Sequence, residues 1–134
     1  MSKVAVVYWT MGGNTEAMAQ AIAKGAGTEA VEYSDFSADQ VAGFDALAFG
    51  CPAMGSEELD PDLEELFNAC VPELGNRPVA LFGSYDWGDG EWMRTWEQAA
   101  RDAGVDVVET YITRLEPDDN ALAACEALGA KLAG

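Results

Sequence analysis

Hydrophobic positions along the chain follow two patterns, short continuous runs and longer amphipathic stripes. Runs rich in β-branched and aromatic residues predict five buried strands, and stripes at helical spacing predict the helices between them. The predicted strands are residues 3–9, 30–34, 45–51, 78–84 and 105–113. The predicted helices are residues 15–23, 60–70, 91–103 and 118–132. Strands alternating with helices predict an α/β fold, a doubly wound parallel sheet with helices on both faces.

The expected ligand position follows from this topology. In open parallel sheets, ligands bind beyond the carboxyl ends of the strands, at the point where the strand order reverses. Three loops follow strands at that edge, residues 10–15, 52–59 and 85–91. These loops are therefore the candidates for a binding site.

The first loop has the composition of an uncharged phosphate site. Thr10, Asn14 and Thr15 carry side-chain donors, and Gly12 and Gly13 allow backbone N–H groups to approach a ligand closely. The helix that follows adds unpaired N–H groups and a partial positive charge. A glycine-containing turn with an Asn or Thr cap would show the same residues, so both interpretations stay open from this loop alone.

The other two loops carry an aromatic ring and a soft apolar contact. Trp87 lies among glycines and aspartates, in no pattern that would bury it, and an indole there favours stacking on a flat ligand or partner. In the second loop Met54 precedes Gly55, and methionine is an adaptable contact for an aromatic face. Trp92 and Trp96, four residues apart, are instead predicted to pack in the core. Together the three loops suit a flat ligand with a phosphate tail, and FMN fits that description.

Three segments resemble the short-chain flavodoxins of anaerobic bacteria, and the resemblance extends over essentially the whole chain. These segments are residues 8–16, 50–59 and 81–93. The resemblance implies a five-stranded parallel sheet of order 2-1-3-4-5 and noncovalently bound FMN. It implies that residues 10–15 hold the phosphate, that Trp87 and Met54 cover the two faces of the flavin ring, and that Glu57 accepts a hydrogen bond from flavin N3. The residues placed at the cofactor by this resemblance are Trp9, Thr10, Met11, Gly12, Gly13, Asn14, Thr15, Pro52, Ala53, Met54, Gly55, Glu57, Ser84, Tyr85, Asp86, Trp87 and Gly88.

Two positions depart from the family pattern. Gly12 stands where a second Ser or Thr is common, so one side-chain hydrogen bond to the phosphate is missing. Asp86 stands where close relatives often have Gly, which adds a negative charge at the expected pyrimidine edge of the flavin. Both changes bear on the cofactor, the first on its affinity and the second on its potential.

Composition restricts the partners and the chemistry. The chain has 7 Lys and Arg against 24 Asp and Glu, a net charge of −17, which disfavours nucleic acid and anionic membranes and favours basic partners. It has no histidine, and its 3 cysteines, at positions 51, 70 and 125, form no metal-binding spacing. Reduced thiols and the lack of a leader or membrane-spanning run predict a cytoplasmic protein, one domain over residues 1–134.

The resemblance predicts an electron carrier without a substrate of its own. It would shuttle bound FMN between semiquinone and hydroquinone at low potential for redox partner proteins with basic docking surfaces, and act as a monomer. The acidic residues expected around the flavin edge are Glu57, Glu58, Asp60, Asp62, Asp86, Asp89 and Glu91. An FMN-dependent quinone or nitro reductase is the enzymatic alternative. A flavin-free signalling receiver is a third, although Thr10 and Pro52 stand where it would need carboxylates.

Overall fold

Five parallel strands form one sheet in the computed structural model, which describes residues 3–55 and 57–134. The strands are β1 (Val4–Tyr8), β2 (Ala30–Glu32), β3 (Ala46–Gly50), β4 (Pro78–Tyr85) and β5 (Asp106–Arg114). Their order is β2-β1-β3-β4-β5, and each neighbouring pair is parallel. This confirms the predicted doubly wound sheet and its strand order.

Helices cover both faces of the sheet. They are α1 (Asn14–Ala26), α2 (Pro61–Leu74), α3 (Glu91–Asp102) and α4 (Asp119–Ala133). One apolar core lies between the sheet and the pair α1 and α4, and the other between the sheet and the pair α2 and α3. Within the described part of the chain, each helix is too short or too polar to cross a lipid bilayer.

The second strand ends earlier than its sequence pattern predicts. The predicted strand extends to residue 34, but β2 ends at Glu32 and a 3-10 turn follows at Tyr33–Asp35. The last register pair joins Glu32 to Tyr8, where β1 also ends. Because β2 is an edge strand with β1 as its neighbour, no partner continues the ladder beyond this pair, and the chain turns away.

The helix α2 runs further than predicted. The apolar stripe was expected to end at Cys70, but the helix continues to Leu74, which is buried against the same core. Pro72 lies inside the helix and cannot donate a backbone hydrogen bond. The helix nonetheless continues for two residues beyond Pro72, which buries Leu74, and Gly75, with a φ of 57°, ends it.

Strand register brings the ends of three strands to one edge. Tyr8 of β1 pairs with Gly50 of β3, which pairs with Phe82 of β4. The ladder continues past β3, since the Ala53 N–H donates to the Ser84 carbonyl at 3.0 Å. The loops that follow these strands therefore begin side by side.

Candidate functional site

Loop one, residues 9–15, takes the chain from the end of β1 into the first turn of α1 and contains two left-handed glycines. Gly12 and Gly13 have φ values of 90° and 96°, and a Cβ at either position would have no neighbour within 4 Å. The Thr10 hydroxyl oxygen accepts the Gly13 N–H at 3.2 Å and the Glu16 N–H at 3.4 Å. Because the Thr10 oxygen is the acceptor in both bonds, the hydroxyl proton of Thr10 is available to a ligand.

Backbone donors remain open at the start of α1. Neither the N–H of Asn14 nor that of Thr15 has a hydrogen-bond partner among the described residues. Helix N-termini with such donors and a positive dipole end bind anions without any cationic side chain. The N-cap is Gly13, which has no capping side chain. The turn therefore differs from the Asn- or Thr-capped alternative and has the donors of an anion site.

A buried hydroxyl pair joins loop one to the end of β4. Thr15 Oγ1 and Ser84 Oγ lie 3.0 Å apart, and both side chains are buried. Thr15 was expected to offer its hydroxyl to a phosphate, and here that hydroxyl binds the residue expected beside the phosphate. The pair fixes the first turn of α1 relative to the third loop.

Loop two, residues 51–60, contains a tight turn. The Met54 N–H donates to the Glu58 carbonyl at 2.9 Å, and the Glu57 N–H donates back to the Met54 carbonyl at 2.8 Å. Gly55 is exposed at the tip, Met54 is half-buried, and Glu57 has a left-handed φ of 53°. Left-handed backbone at a non-glycine residue is costly and is concentrated at functional sites.

Loop three, residues 85–90, holds the exposed tryptophan. The Trp87 side chain is 58% exposed, whereas Tyr85 packs half-buried on the ring of Trp92, with ring centroids 5.4 Å apart. Among the described residues no acceptor binds the N–H groups of Asp86, Trp87 or Gly88. The loop thus presents an indole face and a row of free backbone donors.

Glu57 connects loops two and three. Its Oε1 accepts the Glu91 N–H, in the first turn of α3, at 3.1 Å. Gly88 has a left-handed φ of 87°, and a Cβ there would lie 2.6 Å from the Glu57 carboxyl carbon, so a larger residue would displace this carboxylate. One carboxylate oxygen of Glu57 is therefore bound within the protein, and the other has acceptor capacity left.

The strand ends behind the loops are tightly packed. Trp92 Nε1 donates to the Cys51 carbonyl at 3.1 Å, and a Cβ at Gly83 would lie 2.1 Å from that same oxygen. Burial raises the pKa of the Cys51 thiol to about 12, so the thiol stays protonated at neutral pH. Cys51 therefore has a packing role at the site.

Two arginines that the sequence pattern did not single out contact loop three. Arg114 Nε, at the end of β5, donates to the Asp86 carbonyl at 3.3 Å. Arg94 of α3 donates to the Asp89 carbonyl at 2.9 Å and to its carboxylate at 3.0 Å. The sequence did carry one signal for Arg114, because this residue is one of few cations in the chain and lies at the carboxyl end of a strand, where ligand sites form.

A groove of about 270 Å³ between α2 and α3 lies beside this site and shares Glu57 with it. Its walls include Phe67, Trp92 and Trp96, and none of the open backbone donors of loop one lines it. The groove therefore lacks the anion-binding part that loop one supplies. No group of three His, Cys, Asp or Glu side chains within residues 3–55 and 57–134 could hold a metal ion.

The three loops together offer an anion-binding helix terminus, an exposed indole and a row of backbone donors at one sheet edge. The chain matches the family model described as flavodoxin over residues 6–129. It is 46% identical to the flavodoxin of Megasphaera elsdenii over 132 residues, 94% of this chain and 95% of that protein. It is 41% identical to the flavodoxin of Clostridium beijerinckii over 135 residues, 96% of this chain and 97% of that protein.

Solved structures agree with these sequence relationships. The solution structure of the two-electron reduced flavodoxin of Megasphaera elsdenii superposes with a TM-score of 0.88 at 45% identity, covering 97% of this chain and 98% of that one. A flavodoxin from the domain Archaea superposes with a TM-score of 0.84 at 25% identity, covering 98% and 96%. The similarity therefore includes the strand ends from which the three loops begin.

Proposed function

Since the chain belongs to the flavodoxin family, and so is an FMN-dependent electron carrier and not an enzyme, we propose that it transfers single electrons at low potential. In this proposal the bound FMN alternates between semiquinone and hydroquinone. The protein supplies binding, orientation and electrostatics, and the cofactor supplies the redox chemistry. The supporting observation is the set of open donors on loops one and three, which suits a phosphate tail and a polar ring edge.

Residues of loop one would hold the FMN phosphate. The free N–H groups of Asn14 and Thr15 and the hydroxyl proton of Thr10 are suitable donors to its oxygens. The remaining members of this group are Trp9, Met11, Gly12, Gly13 and Ser84. The absence of a side chain at Gly12 leaves space for direct backbone approach.

Residues of loops two and three would hold the flavin ring. The exposed Trp87 indole suits one ring face and the half-buried Met54 suits the other. The second oxygen of Glu57 is an acceptor for flavin N3–H, and the free donors of Asp86 and Gly88 suit the acceptors of the pyrimidine edge. The other residues proposed to lie at the flavin ring are Pro52, Ala53, Gly55 and Tyr85.

The surrounding acidic residues would lower the potential and guide docking. They begin helices α2 and α3 and follow β3 and β4, at the edge where the three loops lie. These residues are Glu57, Glu58, Asp60, Asp62, Asp86, Asp89 and Glu91. Negative charge opposes formation of an anionic reduced flavin and attracts basic surfaces of redox partner proteins.

The same proposal includes a monomeric, cytoplasmic protein that works as one domain over residues 1–134. A net charge of −17 opposes self-association. The cysteines at positions 51, 70 and 125 are buried and unpaired, as expected in a reducing compartment. The four helices pack on the two faces of one sheet, which supports a single folding unit.

Titration of the apoprotein with FMN tests the site. Flavin fluorescence should be quenched at one FMN per chain, and stepwise reduction should develop a blue semiquinone spectrum. Trp87→Ala should raise the FMN dissociation constant at least tenfold, whereas Val108→Ala, another exposed apolar truncation, should leave it unchanged. A protein that takes up no FMN would overturn the proposal.

Docking is tested by the rate of electron transfer to a basic c-type cytochrome. The bimolecular rate constant should fall steeply between 20 and 300 mM salt, since exposed charges are screened over roughly 8–10 Å near physiological ionic strength. A rate constant independent of salt would contradict docking through the acidic edge while leaving the FMN assignment intact.

A further inference from the structure

Three consecutive carbonyl groups are bound within the protein where β4 leads into loop three. The Ser84 carbonyl accepts the Ala53 N–H at 3.0 Å, and the Tyr85 carbonyl accepts the Leu115 N–H at 2.8 Å. The third carbonyl, that of Asp86, accepts Arg114 Nε at 3.3 Å. Arg114 is thus the first side chain to hold the loop after the strand ladder ends.

The bond from Arg114 fixes the peptide that leads into Trp87. A trans peptide is rigid and planar, and its N–H points opposite to its carbonyl. Holding the Asp86 carbonyl toward the guanidinium therefore directs the Trp87 N–H away from it. The same plane sets the position of the Trp87 Cα, from which the exposed indole projects.

The far end of the loop is held by a second arginine. Arg94 binds both the carbonyl and the carboxylate of Asp89. Between the two contacts lie Trp87 and Gly88, whose N–H groups have no acceptor among the described residues. The loop is therefore fixed at both ends and open in the middle, which reduces the ordering cost of ligand binding.

Arg114 also places a positive charge in a strongly acidic region. Its neighbour Asp86 is exposed, and Arg114 occurs in none of the described ion pairs. The guanidinium is always charged and its planar donors suit carbonyl oxygens. It thus opposes the negative field of the acidic loop residues at the start of loop three.

We propose that Arg114 is a positioning residue for the flavin, holding the Asp86–Trp87 peptide for cofactor binding and making the hydroquinone easier to form. This inference rests on the proposed function. It assigns two separable effects to one side chain, a geometric one on FMN affinity and an electrostatic one on the potential of the second reduction step.

Two variants with the same change in net charge distinguish a local effect of Arg114 on the flavin from a general effect of net charge. Arg114→Gln and Arg101→Gln each remove one positive charge, but Arg101 pairs with Glu97 near the far end of α3 from loop three. Arg114→Gln should raise the FMN dissociation constant about threefold to tenfold, the worth of one hydrogen bond. It should also make the semiquinone/hydroquinone potential more negative than in Arg101→Gln, whose dissociation constant should match the unmodified protein.

Arg114→Lys tests the two effects independently, because lysine keeps the charge without the planar fork. Its potential should stay close to that of the unmodified protein while its FMN affinity falls. Equal dissociation constants and equal potentials for Arg114→Gln and Arg101→Gln would overturn the inference. If the unmodified protein bound no FMN, the proposed function itself would fail, so the two failures are distinguishable. Urea unfolding of the apoproteins checks that all variants fold.

Discussion

Trp92 and Trp96 lie one helical turn apart on α3, and their side chains are 1% and 3% exposed. The indole N–H of Trp92 donates to the Cys51 carbonyl, whereas that of Trp96 is buried without a partner among the described residues. The Trp96 ring instead packs edge-on to Phe67, with centroids 5.5 Å apart. At the residue scale, two tryptophans predicted to share a core role thus differ by one hydrogen bond.

Substitution of each tryptophan by phenylalanine measures how much the Trp92–Cys51 hydrogen bond contributes to the free energy of unfolding. Trp92→Phe leaves the buried Cys51 carbonyl without its donor and should lower the free energy of unfolding by about 1–3 kcal/mol more than Trp96→Phe does. Both variants lose a similar apolar area, so Trp96→Phe is the matched control. Urea denaturation of the apoproteins supplies the comparison, and equal losses would show that the bond adds no net stability.

Asp86 adds a negative charge to a loop that backbone groups and Arg114 hold in place. Asp86→Asn should raise the semiquinone/hydroquinone potential, because it removes a charge near an anionic reduced flavin. At roughly 10 Å and an effective dielectric constant of ~40, one charge is worth about 0.8 kcal/mol. That energy corresponds to about 35 mV for one electron.

The control for this charge change is Asp106→Asn. Asp106 is exposed and begins β5, at the opposite end of that strand from the site. Redox titration should show a potential near that of the unmodified protein for Asp106→Asn. If both variants shift the potential equally, the effect comes from net charge and not from the position of Asp86.

At the scale of elements, α1 and α4 touch through their backbones. A Cβ at Gly25 of α1 would lie 1.9 Å from the Glu126 carbonyl oxygen, and one at Gly129 of α4 would lie 1.9 Å from that of Ile22. Each helix therefore has a glycine where the other passes. Helical periodicity alone favours alanine at these positions, and only the close approach explains the glycines.

The Gly129→Ala variant tests this contact, because the higher helix propensity of alanine and the steric clash of its Cβ change stability in opposite directions. Propensity alone would add about 1 kcal/mol to stability, but a Cβ 1.9 Å from a backbone oxygen requires one helix to move. Overpacking of this kind usually costs about 1–3 kcal/mol or more, so the thermal midpoint should fall. Ala130→Gly, at the exposed neighbouring position, measures the propensity effect without the contact. A higher midpoint for Gly129→Ala would refute the packing argument.

At the scale of the whole molecule, the three thiols lie in separate buried places on both faces of the sheet. Cys70 belongs to the core beneath α2 and α3, and Cys125 to the core beneath α1 and α4. Burial raises the pKa of Cys70 to about 11 and those of Cys51 and Cys125 to about 12, from an ordinary value of 9.0. All three groups keep their protons more firmly in the folded chain.

Stability should therefore decline in alkaline solution. Above pH 9 the unfolded chain releases thiol protons that the folded chain retains, so the free energy of unfolding falls as pH rises towards 11–12. Urea unfolding with a reductant present, at pH 7, 9 and 10.5, measures this slope. A variant with alanine at all three cysteine positions should show a shallower decline. The pKa values of Tyr8, Tyr33 and Tyr111 are also raised, with burial as the main cause, so these groups add to the decline.

Most of the architecture could be predicted from local patterns. Continuous apolar runs identified the five strands, helical stripes identified the four helices, and their alternation indicated which three loops share an edge. The exposure of Trp87 and the burial of Trp92 and Trp96 were also predicted correctly. These features depend on residues close in the chain, where side-chain spacing and backbone preference decide the structure.

The features that only the tertiary structure decided are contacts between distant segments. The end of β2 coincides with the end of β1, Arg114 of β5 donates to the Asp86 carbonyl of loop three, and Gly129 of α4 lies against the backbone of Ile22 in α1. The sequence by itself determined the sheet, its helices and the three loops at its edge. Folding decided which polar groups are used within the protein and which remain open, because that depends on partners that the chain brings together only in three dimensions.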